Sequence, residues 1–188
     1  MVTSFMTKKD IIELIENDHW MMRVLKEAEI LNLPDWMIGA GFLRNKVWDY
    51  LHNIKRNVAD TKDVDLIYFD KKNSNPEKDV KLSKKMGRKI GLGWEIVNQA
   101  YTHSWHDRKV PYKNSTEALS EWVETPTCVA VALKNGKLKI IAPHGIDDLV
   151  NLIVRPSPSH KDKLDIFKQR YESKKWLEKW PKLKISNL

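Results

Sequence analysis

Asp63-Val64-Asp65-Leu66-Ile67-Tyr68-Phe69 alternates charge with apolar bulk and then turns wholly apolar, the pattern of a strand that runs into a buried core. Successive strand residues rise roughly 3.3 Å and point to opposite faces, so Asp63 and Asp65 emerge side by side, about 6 to 7 Å apart. Two like charges sharing one face of a buried strand cost free energy unless a positive partner joins them. A divalent metal carrying phosphate meets that need with the fewest additional groups.

The surrounding chain alternates between helical and strand patterns. Thr7 and Asp10 form a capping box ahead of Ile11, Ile12, Leu14 and Ile15, which predicts a helix to about Glu16. Asp18 caps a second helix carrying Trp20, Met21, Val24, Leu25, Ala28 and Leu31 inward, stopped near Leu33 by Pro34. Trp36 to Gly41 reads as a short strand turning sharply into a helix over Phe42 to Asn53. Beyond the Asp63 strand, Pro76-Glu77 opens a helix with Lys78, Lys81, Lys84, Lys85, Arg88 and Lys89, broken at Gly91. Trp94 to Val97 predicts another strand, leading into a helical turn over Asn98 to His103. Ser115 or Thr116 can cap Glu117 to Val123, and Asn135-Gly136 sets a hairpin between Cys128–Leu133 and Lys137–Ala142. An amphipathic piece, Ile146 to Val154, ends before Pro156, and one charged helix is predicted from Lys161 to Trp180.

Helices and strands intermix without an internal repeat, which predicts an α+β (α/β-like) fold with a mixed β-sheet flanked by helices. The expectation is one domain over residues 1–188, with a core at about 34–156 and helical extensions at 7–33 and 161–180. The 33 basic against 25 acidic residues leave a net charge of +8, which draws polyanions to the surface and also serves solubility. The single cysteine, Cys128, excludes an internal disulfide and fits a reducing compartment. No run approaches the roughly 18 apolar residues that span a bilayer, so the reading is a soluble cytoplasmic protein with no membrane association.

Chemistry on a metal-bound triphosphate needs a phosphate cradle as well as carboxylates. Gly39 and Gly41 lie at the predicted strand-to-helix turn, where absent side chains let phosphate oxygens approach backbone N–H groups. Arg44 and Lys46 sit one turn further, within reach of the same phosphates. Other motifs have plainer readings. His103 and His106 are spaced for one zinc ion, yet no cysteine or further histidine completes the set nearby, which favours ordinary polar contacts. The lysine series from Lys78 to Lys89 reads as a charged helix face or a nucleic-acid contact, and Trp176 and Trp180, four apart, as packing anchors.

At this point the chain resembles a bacterial nucleotidyltransferase family of the DNA polymerase β-like superfamily. The resemblance is carried by Gly39-Ala40-Gly41-Phe42-Leu43-Arg44-Asn45, Asp63-Val64-Asp65, Asn98-Gln99-Ala100, Trp122-Val123-Glu124-Thr125, Ala142 to Leu149 and the tail Lys174 to Pro181, together spanning residues 20–183. It implies that Asp63 and Asp65 hold Mg²⁺ (or Mn²⁺) on a nucleoside triphosphate, the donor substrate. A third carboxylate would hold a second ion and acidify an acceptor hydroxyl; Glu95, between Trp94 and Ile96, has the right setting, and Glu124 is the alternative. Attack on the α-phosphorus would release pyrophosphate toward the glycine turn. The acceptor is unidentified, whether RNA, protein or small molecule. The alternative reading is a non-catalytic, basic nucleotide- or RNA-binding module on the same fold.

Overall fold

The computed structural model describes residues 6–55, 63–106 and 108–186. Local signals set its first elements. Thr7 and Asp10 cap α1 (Lys8–Glu16) reciprocally, the Thr7 N–H donating to the Asp10 carboxylate at 2.7 Å and the Asp10 N–H donating back to Oγ1 at 3.3 Å. Asp18 caps α2 (His19–Ile30) by accepting from the N–H groups of Trp20 and Met21. β1 (Met37–Gly39) follows, and at Ala40 the chain turns into α3 (Gly41–Leu51). After β2 (Asp63–Tyr68), Asn75 caps α4 (Pro76–Ile90), Pro76 fills its first turn and Gly91, at φ 78°, ends it before β3 (Gly93–Asn98). The remaining elements are α5 (Ser115–Ser120), β4 (Ala130–Lys134), β5 (Lys137–Ile141), α6 (Asp147–Val150), β6 (Ile153–Val154), α7 (Leu164–Ser173), α8 (Trp176–Lys179) and β7 (Lys184–Ile185), with 3-10 turns at Thr102–His106 and Pro158–His160.

Five strands form a mixed sheet in the order β3-β2-β1-β4-β5, and β6 pairs with β7 separately. β2 and β3 run parallel, joined by the α4 crossover that a parallel pair requires, while the other neighbours in the five-stranded sheet are antiparallel. Val64, Leu66 and Tyr68 of β2 join Ile38, Trp94, Ile96 and Val131 in the main core against α1 to α4. A smaller cluster of Met37, Ile67, Leu119 and Ala130 covers part of the other face, with Trp122 packed against it. On the same face, Asp63 and Asp65 line a cleft. No helix among the described residues is long and apolar enough to cross a membrane.

The structure departs from the sequence reading in several places; the helical turn expected over Asn98 to His103 runs instead over Thr102–His106, because Asn98 still pairs in β3. Asn114, not Ser115 or Thr116, caps α5; the Ser115 N–H and Oγ instead donate to Asp35, each at 2.7 Å. The piece from Ile146 to Val154 divides into α6 and β6 because Leu152 takes φ 60°. The single helix expected from Lys161 to Trp180 is broken into α7 and α8, with Lys175 at φ 53° between them. Phe167 and Trp176 are nine residues apart, half a turn out of phase at 3.6 residues per turn, yet both are buried at 1% and 2% exposure. One straight helix cannot bury both on the same side.

Candidate active site

The parallel register matches Asp63 with Gly93 and Asp65 with Glu95. Paired residues of neighbouring strands share a face, so Glu95 stands beside Asp65, and Asp63 lies two residues along on the same side. All three line one cleft of about 1030 Å³. The Asp65 carboxyl is pushed up to about 6, first by burial and then by the negative charges of Asp63 and Glu95, against the opposing pull of Arg44 and Lys174.

Hard oxygen donors carrying this excess of negative charge fit Mg²⁺ or Mn²⁺, and a divalent cation there would relieve the repulsion that raises Asp65. Among the described residues, no three His, Cys, Asp or Glu side chains converge closely enough to enclose an ion by themselves. Mg²⁺ characteristically takes one or two carboxylates and completes its shell with water and phosphate oxygens.

The two glycines at the turn serve different ends. Ala40, Gly41 and Phe42 line the cleft where α3 begins, so the helix N-terminus opens onto it. Gly39 is absent from the lining; a Cβ on it would sit 2.8 and 2.9 Å from carbons of the Trp122 ring, which makes it a packing requirement. A Cβ on Gly41 would meet the end of the Asn45 side chain at 3.0 Å, a contact that can swing aside. The residue between them, Ala40, holds φ 51° and ψ −128°, a conformation that favours glycine.

Arg44 and Lys46 both line the cleft and both already have partners. Arg44 is buried, donates to Thr127 Oγ1 at 2.7 Å and to Asn45 Oδ1 at 2.9 and 3.2 Å, and stacks 4.3 Å from the centroid of the Trp176 ring. Burial pushes its guanidinium down to about 10, with the nearby Glu124 charge acting in the opposite direction. Lys46 Nζ lies 2.5 Å from Asp18 Oδ2. Glu124 is fully buried outside the cleft lining, where one oxygen accepts from Arg170 Nε at 2.8 Å and the other takes no hydrogen bond. It therefore balances Arg44 and Arg170, while Glu95 is the acid that stands with the aspartates. Of the histidine pair, His103 lies in a 3-10 turn, and the His106 side chain is outside the described residues.

The sequence reading missed the cleft wall formed by Arg170, Ser173, Lys174, Lys175 and Lys179. Lysines on one long charged helix read as solvated, and only the break after Ser173 turns this segment inward. Trp176 and Trp180 fix it, their rings 5.4 and 5.1 Å from Trp48 and the Trp180 Nε1–H donating to Asp49 at 2.8 Å. The nine-residue offset between Phe167 and Trp176 was the available signal.

Comparison with known proteins places these features in a family context. Residues 26–185 match the sequence profile of a nucleotidyltransferase family. The chain is similar to a protein whose solution structure reveals a CCA-adding enzyme head domain, with 29% identity, a TM-score of 0.85 and 97% of each chain covered. It is similar in fold to a CCA-adding enzyme solved with ATP (14% identity, TM-score 0.58, 94% of this chain and 43% of that one). The Thermotoga maritima CCA-adding enzyme solved with tRNA is a comparable match (16% identity, TM-score 0.50, 94% and 42%), so the chain spans less than half the length of these two enzymes. No functionally curated protein matches.

Proposed function

The chain belongs to the nucleotidyltransferase family and is a transferase, and from that premise we propose that it moves a nucleoside monophosphate from a nucleoside triphosphate to a hydroxyl acceptor in a metal-dependent reaction that releases pyrophosphate. The observation that carries this reading is the register pairing of Asp65 with Glu95, which gathers both with Asp63 in one cleft beside the start of α3. Asp63 and Asp65 would hold one Mg²⁺ or Mn²⁺ on the triphosphate and Glu95 a second, ions that when bound would supply charge neutralisation for the triphosphate and acidify the acceptor hydroxyl. The α3 N-terminus at Ala40 and Gly41 receives phosphate oxygens, and the buried Arg44 adds positive charge behind them without leaving its own partners. The acceptor oxygen forms its bond to the α-phosphorus as the bond from that phosphorus to its bridging oxygen breaks. The electron pair leaves on pyrophosphate, and the hydroxyl proton passes to Glu95. Positioning and charge neutralisation supply most of the rate enhancement in such a reaction.

The acceptor class follows from mass: incubation of the protein and of a cell extract with labelled triphosphates and Mg²⁺, read by mass spectrometry, should show a nucleotide added to one component. The test of the mechanism is pyrophosphate release with each triphosphate and Mg²⁺ or Mn²⁺. Asp63→Asn combined with Asp65→Asn abolishes it while the circular dichroism spectrum stays that of the native fold. Unchanged turnover in the double variant ends the proposal, and triphosphate binding with neither metal dependence nor pyrophosphate release points to a non-catalytic module.

A further inference from the structure

We infer that Lys174 binds the non-transferred phosphates of the donor triphosphate, an inference that rests on the nucleotidyl-transfer reading above. The cleft contains several cations, and their partners separate them. Arg44 is held by Thr127 and Asn45, Lys46 by Asp18, Arg170 by Glu124, and Lys175 lies 3.5 Å from Glu178. Among the described residues, the Lys174 side chain has no ion pair or hydrogen bond within the protein. Lys55 and Lys179 also line the cleft. What sets Lys174 apart is its place at the junction of α7 and α8, on the wall of the cleft that Asp63, Asp65 and Glu95 also line; among the described residues its charge, like that of Arg44, acts on the Asp65 carboxyl.

The position of Lys174 is fixed from both sides. On the α7 side, Phe167 is buried and Arg170 is anchored to the buried Glu124. On the α8 side, Lys175 takes a left-handed conformation at φ 53°, and Trp176 and Trp180 pack on Trp48. The backbone at Lys174 is thus held while its ammonium stays free at the end of a flexible stem. A compact cation with three donors suits phosphate oxygens whose position shifts between bound triphosphate and departing pyrophosphate. Because Lys174 shares its cleft with Asp63, Asp65 and Glu95, that charge would reach phosphates held beside the acids.

The test compares Lys174→Met with wild type and with Lys168→Met, an exposed lysine of α7 paired with Glu172 and outside the cleft lining. Calorimetry in Mg²⁺ measures binding of ATP, CTP, GTP and UTP, of inorganic tripolyphosphate, and of the corresponding monophosphates. Lys174→Met should weaken the preferred triphosphate and tripolyphosphate by about tenfold or more and leave the monophosphate unchanged, while Lys168→Met leaves all of them unchanged. An equal loss for monophosphate and triphosphate, or no loss for either, overturns the role assigned to Lys174 even though wild-type binding stands. If wild type itself binds no triphosphate in Mg²⁺, the nucleotidyl-transfer reading falls and the inference falls with it. Lys174→Arg, which keeps the charge, should recover most of the triphosphate affinity; a melting temperature equal to wild type in the Met variant shows that the segment remains folded.

Discussion

Asp65 and Glu95 are register partners across the parallel β2–β3 pair, so the acidic face is built by the sheet itself and does not depend on loop conformation. The arrangement costs stability when no cation is present. The folded Asp65 carboxyl titrates at about 6 against 3.8 for an ordinary aspartate, because of burial and the charges of Asp63 and Glu95. Between those values the folded state holds a proton that the unfolded chain has lost. The stability associated with this group is therefore full below about pH 4, falls as pH rises toward 6, and stays low above it.

Asp65→Asn removes that penalty. Without added metal, the variant should unfold at a higher temperature than wild type at pH 8, by the equivalent of roughly 1 to 3 kcal/mol, and the difference should vanish near pH 4. Addition of Mg²⁺ with triphosphate should raise the wild-type melting temperature at pH 8 and leave the variant unmoved. Scanning calorimetry at the two pH values reads both effects; a variant less stable than wild type at pH 8 contradicts the repulsion described for Asp65.

The turn at residues 39 to 41 joins a glycine required by packing to a glycine that lines the cleft. Gly39→Ala forces a methyl group to within 2.9 Å of the Trp122 ring and should cost about 1 to 3 kcal/mol by denaturant titration. Ala40→Gly relieves a backbone conformation at φ 51° and ψ −128° that alanine adopts poorly, and should stabilise by about 1 kcal/mol. Gly41→Ala should leave stability within about 0.5 kcal/mol, so any loss of triphosphate affinity in that variant belongs to the cleft.

Arg44→Lys should behave as a severe change. Lysine cannot donate to Thr127 and Asn45 together, nor stack flat on Trp176, and it withdraws a delocalised charge from beside the buried Glu124. The expected cost is about 2 to 4 kcal/mol, measured by chemical denaturation with wild type as reference. A variant as stable as wild type means that Arg44 is not the pillar of this wall.

The sequence was legible where a local rule sufficed. Alternation from Asp63 to Tyr68 located β2 and its acidic side, Thr7, Asp18 and Asn135-Gly136 announced two helix starts and a hairpin, and the mixed sheet followed from the order of elements. What stayed hidden depended on residues far apart in the chain. Nothing local tells that Ser115 is taken by Asp35, that Gly39 is required by Trp122, or that Arg44 is wedged against Trp176 from the tail. Glu95 follows Trp94 and Glu124 follows Val123, and neither position announces its partner; pairing of β3 with β2 puts the first beside Asp65, whereas the ion pair with Arg170 occupies the second.

The tail is the final case, because its contribution to the cleft depends on two tryptophans seated on a third. Trp180→Phe keeps the aromatic packing against Trp48 and deletes the N–H that donates to Asp49 at 2.8 Å in a buried setting. Loss of such a bond costs about 1 to 3 kcal/mol, and the loss should fall on the segment that Trp180 ties down, leaving the sheet intact. Hydrogen exchange should therefore quicken across α8 and β7 in the variant while β2 and β3 keep wild-type protection. Because Lys174 and Lys175 enter the cleft through the same segment, triphosphate affinity should weaken in parallel with that local opening. Equal acceleration of exchange in the tail and the sheet would mean instead that the C-terminal segment unfolds with the core as one cooperative unit.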